Sequence, residues 1–145
     1  MLALLQRVSE ARVEIDGSCV GGIGPGLLVL LGIEREDNEA LADRLLQKLL
    51  AYRMFSDAEG RMNRSVADVE GGLLLVSQFT LAAETGKGLR PGFSSAMAPE
   101  LAEPLYDYVL SQARSLHADV ACGRFGANMQ VHLVNDGPVT FLLRA

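Results

Sequence analysis

A buried-looking apolar run ends abruptly in polar side chains at residues 77–81, Ser-Gln-Phe-Thr-Leu. Hydroxyls and an amide at a strand end commonly line a site, although a polar strand cap is the structural alternative. In an extended chain, side chains alternate between faces, which places Ser77 and Phe79 together. Gln78 and Thr80 would share the other face. That face would present an amide, a hydroxyl and main-chain N–H groups to a substrate.

A second polar cluster occupies residues 135–140, Asn-Asp-Gly-Pro-Val-Thr. Gly137 allows a tight bend, and Pro138 fixes φ and lacks an N–H donor, so backbone carbonyls are the polar groups left available. An ordinary turn explains the same pattern. A cis Gly-Pro bond has a base rate of about 5–6% among X–Pro bonds, so residue types alone do not predict one.

Conventional catalytic or metal-binding groups are not predicted. His117 falls at the end of a predicted helix and His132 on a predicted strand, and neither spacing brings an imidazole to a nucleophile. Cys19 and Cys122 stand beside small or apolar residues, are far apart and lack a CxxC spacing, so we assign both to packing. The glycines of 21–26 precede a strand without a Lys-Ser/Thr pair, which indicates a turn. We expect no metal and no cofactor.

Composition restricts the function further. The 145 residues carry 13 basic and 18 acidic side chains, a net charge of −5, with 49% hydrophobic residues. This indicates one globular domain over 1–145 without a broad basic surface for nucleic acid. No signal peptide or membrane anchor is recognisable, so we expect a cytoplasmic protein. The scattered cations are interpreted as a solvated loop surface and are Arg53, Arg61, Arg64, Lys87 and Arg90.

Hydrophobic periodicity supplies the elements that must position these groups. Extended segments are predicted at 2–8, 11–15 and 18–20, with a turn at Asp16-Gly17, and buried strands at 27–33 and 73–79. Helices are predicted near 38–52, capped by Asp37 or Asn38, and over 99–116, where Pro104 could move the start to about 103. A glycine-rich loop spans 85–95, and strands at 129–135 and 139–143 form a hairpin or a sharply turned pair.

Strands at both ends and in the middle, with only two main helices, predict an α+β domain. The sheet is expected to curl into a barrel-like, mostly antiparallel structure. Such a fold would place the segment 77–81 at the end of a central strand, immediately before the glycine-rich loop.

The two polar clusters resemble the signature motifs of the D-aminoacyl-tRNA deacylases, also called D-tyrosyl-tRNA deacylases. Either motif alone is weak evidence for this family, but the two together, in this order and at this chain length, are specific evidence for it. The similarity covers nearly the whole chain and includes these further segments: Gln6-Arg7-Val8, 26–32, 52–57, Arg90-Pro91 and 123–129. A glycine at position 92, where a hydroxyl residue is expected, and Pro104 are mild departures outside both signatures.

The resemblance implies a homodimer that hydrolyses the ester between a D-amino acid, or glycine, and the terminal adenosine of tRNA. It implies that the carbonyls of a cis Gly137-Pro138 peptide enter the partner subunit's pocket and exclude L side chains. The opposite wall would come from residues 77–80. Ser77, Gln78 and Thr80 are the implied catalytic residues; the implied substrate-binding and chiral-selection residues are Gly137, Pro138, Phe79, Phe125, Met129 and Asn135.

Two other functions stay open at this point. A nucleotide- or RNA-binding module without hydrolytic activity could use the same pocket. A small-molecule esterase could use Thr80 as a covalent nucleophile without needing tRNA. Within the deacylase interpretation, an unassisted threonine hydroxyl is a poor nucleophile, so we favour Thr80 as a group that positions water.

Overall fold

Eight strands, two helices and one 3₁₀ turn are described by the computed structural model, which covers residues 1–145. No helix is both long enough and apolar enough to cross a membrane. The elements in chain order are β1 (Leu2–Ile15), β2 (Ser18–Ile23), β3 (Gly26–Gly32), α1 (Glu39–Ala51), β4 (Phe55–Ser56), β5 (Met62–Arg64), β6 (Gly72–Ser77), the turn Phe79–Ala82, α2 (Pro99–Leu116), β7 (Val120–Cys122) and β8 (Gln130–Arg144).

The long strand β1 organises the sheet. It was expected as two strands, 2–8 and 11–15, and that division is wrong, because the backbone stays extended through the polar residues between them. One half pairs with β3 and the other with β2, both antiparallel, and β8 runs antiparallel along the opposite edge. The predicted turn at Asp16-Gly17 is confirmed, with both residues at positive φ.

Two buried strands form the centre, as their continuous apolar sequences predict. β3 and β6 pair in parallel, and β7 adds a further parallel strand beyond β6. The helices make the crossovers between these parallel strands and cover one face of the sheet. The sheet is therefore mixed, with antiparallel pairing around β1 and parallel pairing around β6. The three-residue strand β7 was not predicted.

Both predicted helices are present. The Asn38 side chain accepts a hydrogen bond from Leu41 N at 3.1 Å, which identifies it as the N-cap of α1. α2 spans Pro99–Leu116, which confirms the predicted limits 99–116, and the alternative start at about 103 is wrong. Pro104 lies exposed on this helix, where its ring can face water, and its missing N–H removes only one intrahelical bond.

The sheet curls until β2 approaches β7. A Cβ at Gly21 would lie 2.5 Å from the carbonyl oxygen of Cys122, so only glycine permits this approach of the two backbones. A second, smaller core fills the curled interior and consists of Val8, Ala11, Val13, Ile23, Leu28, Leu74 and Val76. The barrel-like shape expected from the sequence is confirmed.

β8 is one strand, not the expected hairpin. Its two halves pair with the same partner, β1, in register Val8↔Asn135 and Gln6↔Thr140. Four residues, 136–139, therefore face the single residue Arg7 and must bulge out of the ladder. We call residues 136–139 the Gly-Pro bulge; its Gly137-Pro138 peptide is cis.

Candidate active site

The first polar cluster lies where β6 ends and the chain turns. Gln78 N still donates to Leu31 O at 2.8 Å, but from Phe79 the backbone enters the 3₁₀ turn. The predicted strand at 73–79 is therefore two residues too long, and strand alternation does not place these side chains. Gly32 lets the turn approach β3, because a Cβ there would lie 2.8 Å from Leu81 Cβ.

The turn nevertheless brings Gln78 and Thr80 together. Gln78 Nε2 donates a hydrogen bond to Thr80 Oγ1, and Thr80 is exposed to solvent. Its hydroxyl thus accepts from the amide and keeps its own proton available for donation. Leu81 N donates a hydrogen bond to Gln78 O within the turn. The N–H groups of Phe79 and Thr80 lie at the start of the turn, where N–H groups have no hydrogen-bond partner within the turn itself.

A cavity of about 590 Å³ opens beside this turn. Ser77, Gln78 and Phe79 form one side, and most of the remaining wall is apolar. The other lining residues are Leu31, Ile33, Val76, Phe93, Ala96, Met97, Ala98, Pro99, Ala102, Phe125, Gly126, Ala127, Met129 and Val131. An apolar pocket with a few polar groups at one side is the usual form of a small-ligand site.

No side chain that lines this cavity is ionisable. His117 Nε2 lies 2.7 Å from Gly71 O, and His132 Nε2 lies 3.2 Å from Glu14 Oε2. Both imidazoles therefore have structural surroundings away from the cavity, as predicted. A Ser-His or Cys-His pair is not present in the pocket, and no cluster of three or more potential metal ligands occurs in the chain.

An aromatic pair stands at the mouth of the cavity. The Phe79 and Phe93 ring centroids are 5.1 Å apart, with 59% of Phe79 and 40% of Phe93 exposed to solvent. Such exposure of large apolar side chains is typical of a binding surface. Phe93 was not among the predicted site residues, because its segment has no regular period.

The loop that carries Phe93 is closed at its base. Glu84 and Gly92 exchange two backbone hydrogen bonds, at 2.8 and 3.0 Å, and the Glu84 carboxylate accepts from the Ser94 and Ser95 hydroxyls at 2.6 Å each. These two hydroxyls lower the pKa of Glu84 below its usual value. The carboxylate thereby holds one wall of the pocket mouth in place.

The inner wall of the cavity rests on α2. The Tyr106 and Phe125 rings lie 5.9 Å apart, and the Tyr106 hydroxyl donates to Leu75 O at 2.9 Å. Burial raises the pKa of Tyr106, so this hydroxyl remains a donor at any physiological pH. Met129 Sδ accepts from Arg124 N at 3.4 Å. Phe125 and Met129 thus face the cavity, with their positions fixed by these contacts.

The Gly-Pro bulge lies outside this cavity. Asn135 Nδ2 donates to Arg7 O and Val139 O, at 3.0 and 3.1 Å, and so clamps the two ends of the bulge. The Arg7 guanidinium donates through Nε to Asp136 O at 3.0 Å and through Nη1 to Met54 O at 2.9 Å. Gly137 and Pro138 themselves are exposed at the surface.

The structure therefore brings together only part of the predicted site. Ser77, Gln78 and Phe79 line the cavity with Phe125 and Met129, and Thr80 adjoins it through its bond with Gln78. Gly137 and Pro138 lie separately in the bulge of the same chain, and Asn135 lies in the strand directly before it.

Several expectations about other groups are also resolved. The predicted cations divide into two groups. Lys87 and Arg90 lie in the loop at the pocket mouth, and Arg53, Arg61 and Arg64 lie in the β4–β5 hairpin, residues 53–64.

Cys19 is exposed, so its assignment to packing is wrong, because strand β2 turns this position outward; Cys122 is half-buried against the core. Arg7 holds the bulge but was not predicted as a site residue, although it belongs to a segment that carries the resemblance.

Comparisons with known proteins identify the family of the chain. The family model described as D-Tyr-tRNA(Tyr) deacylase matches residues 4–144. The D-aminoacyl-tRNA deacylase of Stutzerimonas stutzeri is 66% identical over the full length of both chains. That of Pseudomonas fluorescens strain Pf0-1 is 66% identical over 99% of each chain.

Solved structures show the same fold. A structure named c-Myc DNA Unwinding Element Binding Protein superimposes with a TM-score of 0.96 at 42% identity, over 100% of this chain and 99% of that one. A probable eukaryotic D-amino acid tRNA deacylase superimposes with a TM-score of 0.87 at 16% identity, over 99% and 98% of the two chains. The match to the family model and the full-length relatives show that the chain belongs to the D-aminoacyl-tRNA deacylase family, a family of hydrolases.

Proposed function

We propose that this protein hydrolyses the ester that joins a D-amino acid, or glycine, to the terminal adenosine of tRNA, and that it rejects the L-aminoacyl ester. The observation that carries the proposal is the uncharged cavity whose one polar side is the Gln78–Thr80 pair, in a chain of this family. A cytoplasmic location, where charged tRNA is made and used, accompanies this activity.

The lack of an ionisable group is compatible with ester hydrolysis. An aminoacyl ester is already activated, so the protein has mainly to orient water and to stabilise the oxyanion that forms at the carbonyl. In this proposal the N–H groups at the start of the 3₁₀ turn, on Phe79 and Thr80, donate to that oxyanion. The substrate's 2′-hydroxyl supplies a further polar group next to the ester.

Thr80 acts in this proposal by positioning water. No base lies among the residues of the cavity, and the hydrogen bond that Thr80 makes is one in which its oxygen accepts. A nucleophilic threonine needs a base to take its proton, which this arrangement does not provide. The hydroxyl proton is instead free to orient a water molecule or the substrate carbonyl.

Chiral rejection is assigned to the Gly-Pro bulge of a second subunit. The bulge is exposed and lies outside its own chain's cavity, so it can limit a pocket only in another copy. In an L residue the hydrogen and side chain at Cα are exchanged, and the side chain would run into the Gly137 and Pro138 carbonyls. A D side chain would point outward, and glycine has no side chain to clash.

A partly exposed apolar row on the sheet, with Leu4 and Leu30 half-buried and Leu142 exposed, supports the dimer that this mechanism requires. Leu4 pairs in register with Leu30 on one side and with Leu142 on the other, so the three side chains share one face. Leu142 is 51% exposed, and Val134 on the same strand is also 51% exposed. A two-fold contact between copies would cover such a surface.

The terminal adenosine would occupy the apolar part of the cavity. Phe79 and Phe93 offer ring faces at its entrance, and unpaired bases commonly stack on aromatic side chains in RNA recognition. Lys87 and Arg90 in the adjoining loop are exposed and can contact phosphates. Contacts limited to the acceptor end of the tRNA are compatible with the net charge of −5.

Deacylation of matched D-tyrosyl-, L-tyrosyl- and glycyl-tRNA by one preparation tests the proposal. We expect rapid release of D-tyrosine and glycine, and little release of L-tyrosine. Similar rates for the two tyrosyl enantiomers would refute chiral rejection. Binding of all three tRNAs without hydrolysis would instead identify an RNA-binding module.

A further inference from the structure

The β4–β5 hairpin, residues 53–64, presents three cations to solvent. Arg53, Arg61 and Arg64 are all exposed, and none of them lies within ion-pair distance of a carboxylate. Arg64 Nη2 donates to a main-chain carbonyl, that of Asp68, at 2.7 Å. In a chain with a net charge of −5, three exposed arginines on one hairpin, none of them in an ion pair, are a distinct feature.

Two of the nearby carboxylates are occupied within their own turns. Asp57 accepts from the backbone N–H groups of Glu59 and Arg61, at 3.0 and 2.9 Å, and from Asn63 Nδ2 at 2.9 Å. Asp68 accepts from the backbone N–H and the hydroxyl of Ser65, at 2.8 Å each. Glu59 is the remaining acid of the hairpin and lies exposed at its tip. Hydrogen bonds from Ser65, and also the charges of Arg64 and Arg53, lower the pKa of Asp68. Neither carboxylate accepts a hydrogen bond from a guanidinium, so the Arg53 and Arg61 guanidinium groups can still bind an external anion.

The hairpin is fixed beside the Gly-Pro bulge. One guanidinium, that of Arg7, donates both to Met54 O at the base of the hairpin and to Asp136 O in the bulge. The Arg7 side chain is only 14% exposed, so this connection is held within the protein. Wherever the bulge is placed in an assembly, the hairpin accompanies it.

We propose that the cationic hairpin of one subunit binds the RNA phosphates of the tRNA whose aminoacyl end occupies the partner subunit's pocket. This inference rests on the proposed function, in which the bulge limits the pocket of a second copy. The bulge would bring Arg53 and Arg61 to the mouth of that pocket, opposite the pocket's own loop with Lys87 and Arg90. The acceptor end would then be held by both subunits.

The test compares a full substrate with one that lacks phosphates. The double variant Arg53→Gln/Arg61→Gln removes two charges and leaves Arg64 with its hydrogen bond. D-tyrosyl-tRNA and D-tyrosyl-adenosine present the same ester, but only the tRNA carries a phosphate backbone. Arg44→Gln/Lys48→Gln, with both changes on the exposed surface of α1, is the control with the same change in net charge.

We expect KM for D-tyrosyl-tRNA to rise about tenfold in the hairpin variant, with kcat unchanged. The slope of log KM against log salt should become shallower by roughly 1.5, since about 0.7–0.9 is contributed by each phosphate contact. KM for D-tyrosyl-adenosine should not change. The α1 control should behave as the parent with both substrates.

Mixed dimers decide which subunit supplies the hairpin. One chain carries a cavity filled by Ala127→Trp, and the other keeps an intact cavity. With the hairpin changes on the filled chain, the single open pocket faces the altered hairpin, and KM for the tRNA should rise. With the changes on the open chain, KM should stay at the parental value; the reverse pattern would overturn the assignment to the partner.

The outcomes separate this inference from the proposed function. If the parent hydrolyses neither D ester, the proposed function fails. If the parent hydrolyses both, and the hairpin variant keeps the parental KM and salt slope, the phosphate contact is refuted while the function stands. An equal loss on the adenosine ester would show a disturbed pocket and would also refute the contact. Circular dichroism confirms the fold of each variant.

Discussion

Replacing Arg7 by alanine should loosen the Gly-Pro bulge and admit L substrates. The guanidinium donates to Asp136 O at 3.0 Å and to Met54 O at 2.9 Å, with 14% of the side chain exposed. A hydrogen bond that involves a charged group contributes about 1.5–3 kcal/mol, so losing two costs about 3 kcal/mol at the lower end. Only the bond to Asp136 O acts on the bulge, so at 1.4 kcal/mol per factor of ten the restraint on the bulge weakens by about 10- to 100-fold.

The assay measures single-turnover hydrolysis of L- and D-tyrosyl-tRNA together with the thermal unfolding midpoint. We expect the ratio of L to D rates to rise by up to about 100-fold. The midpoint should fall by roughly 6–12 °C for a loss of 3 kcal/mol in a chain of this size. Arg7→Lys, which cannot reach both carbonyls with one ammonium, should give an intermediate ratio.

Arg12→Ala is the matched control, because Arg12 lies on the same strand but pairs at the surface with Glu14, at 2.8 Å. It should leave both the rate ratio and the midpoint at parental values. An Arg7→Ala protein that rejects L-tyrosyl-tRNA as well as the parent does would refute the role of Arg7 in holding the bulge.

Three further predictions follow from the site. Thr80→Ala should lower the single-turnover rate by about 10- to 100-fold, less than loss of a nucleophile, and an isolable acyl-Thr80 adduct in the parent would contradict this. Gly137→Ala should raise hydrolysis of the L ester while the D ester is still cleaved, because φ is +147° and a Cβ would lie 2.6 Å from Val139 N; an unchanged ratio would show that the bulge does not limit the pocket. The Ser94 and Ser95 hydroxyls lower the pKa of Glu84, so its stabilisation is present above the ordinary carboxylate pKa and is lost as pH falls through the lowered value. Unfolding midpoints of the parent and Glu84→Gln should therefore converge in acid, and a constant difference would contradict the assignment.

The parts of the fold predicted correctly depend on local sequence. The apolar run 27–33 reads as a strand buried on both faces, and Asn38 marks a helix start through its own side-chain oxygen. The limits are less accurate, because the strand predicted at 73–79 ends at Ser77 and the alternative start of α2 near 103, suggested by Pro104, is wrong. Local propensity thus predicts element types better than element limits.

The parts that could not be predicted depend on partners distant in sequence. Asp136-Gly137-Pro138 looks like a hairpin turn, because nothing in residues 129–143 reveals that both halves pair with β1. The bulge arises from a register with strand 2–15, which lies more than a hundred residues earlier. The role of Arg7 in holding the bulge became visible only with that register.

The sequence predicted which residues form the candidate site better than it predicted how they are arranged. Gln78 and Thr80 were expected to meet on one face of a strand; they do meet, but across a 3₁₀ turn that strand periodicity does not signal. Phe93 and Met97 line the cavity from a loop segment without a regular pattern, so periodicity offered no way to find them.

The central claim is that the bulge of one subunit limits the pocket of the other. It is tested most directly by the rate of L-tyrosyl-tRNA hydrolysis in a mixed dimer. One chain carries Arg7→Ala with an open cavity, and the other carries a normal bulge with the cavity filled by Ala127→Trp. The single open pocket then faces a normal bulge, so the L ester should be rejected, although the Arg7→Ala homodimer cleaves it. Cleavage of the L ester by the mixed dimer at the rate per open pocket of the Arg7→Ala homodimer would contradict the claim.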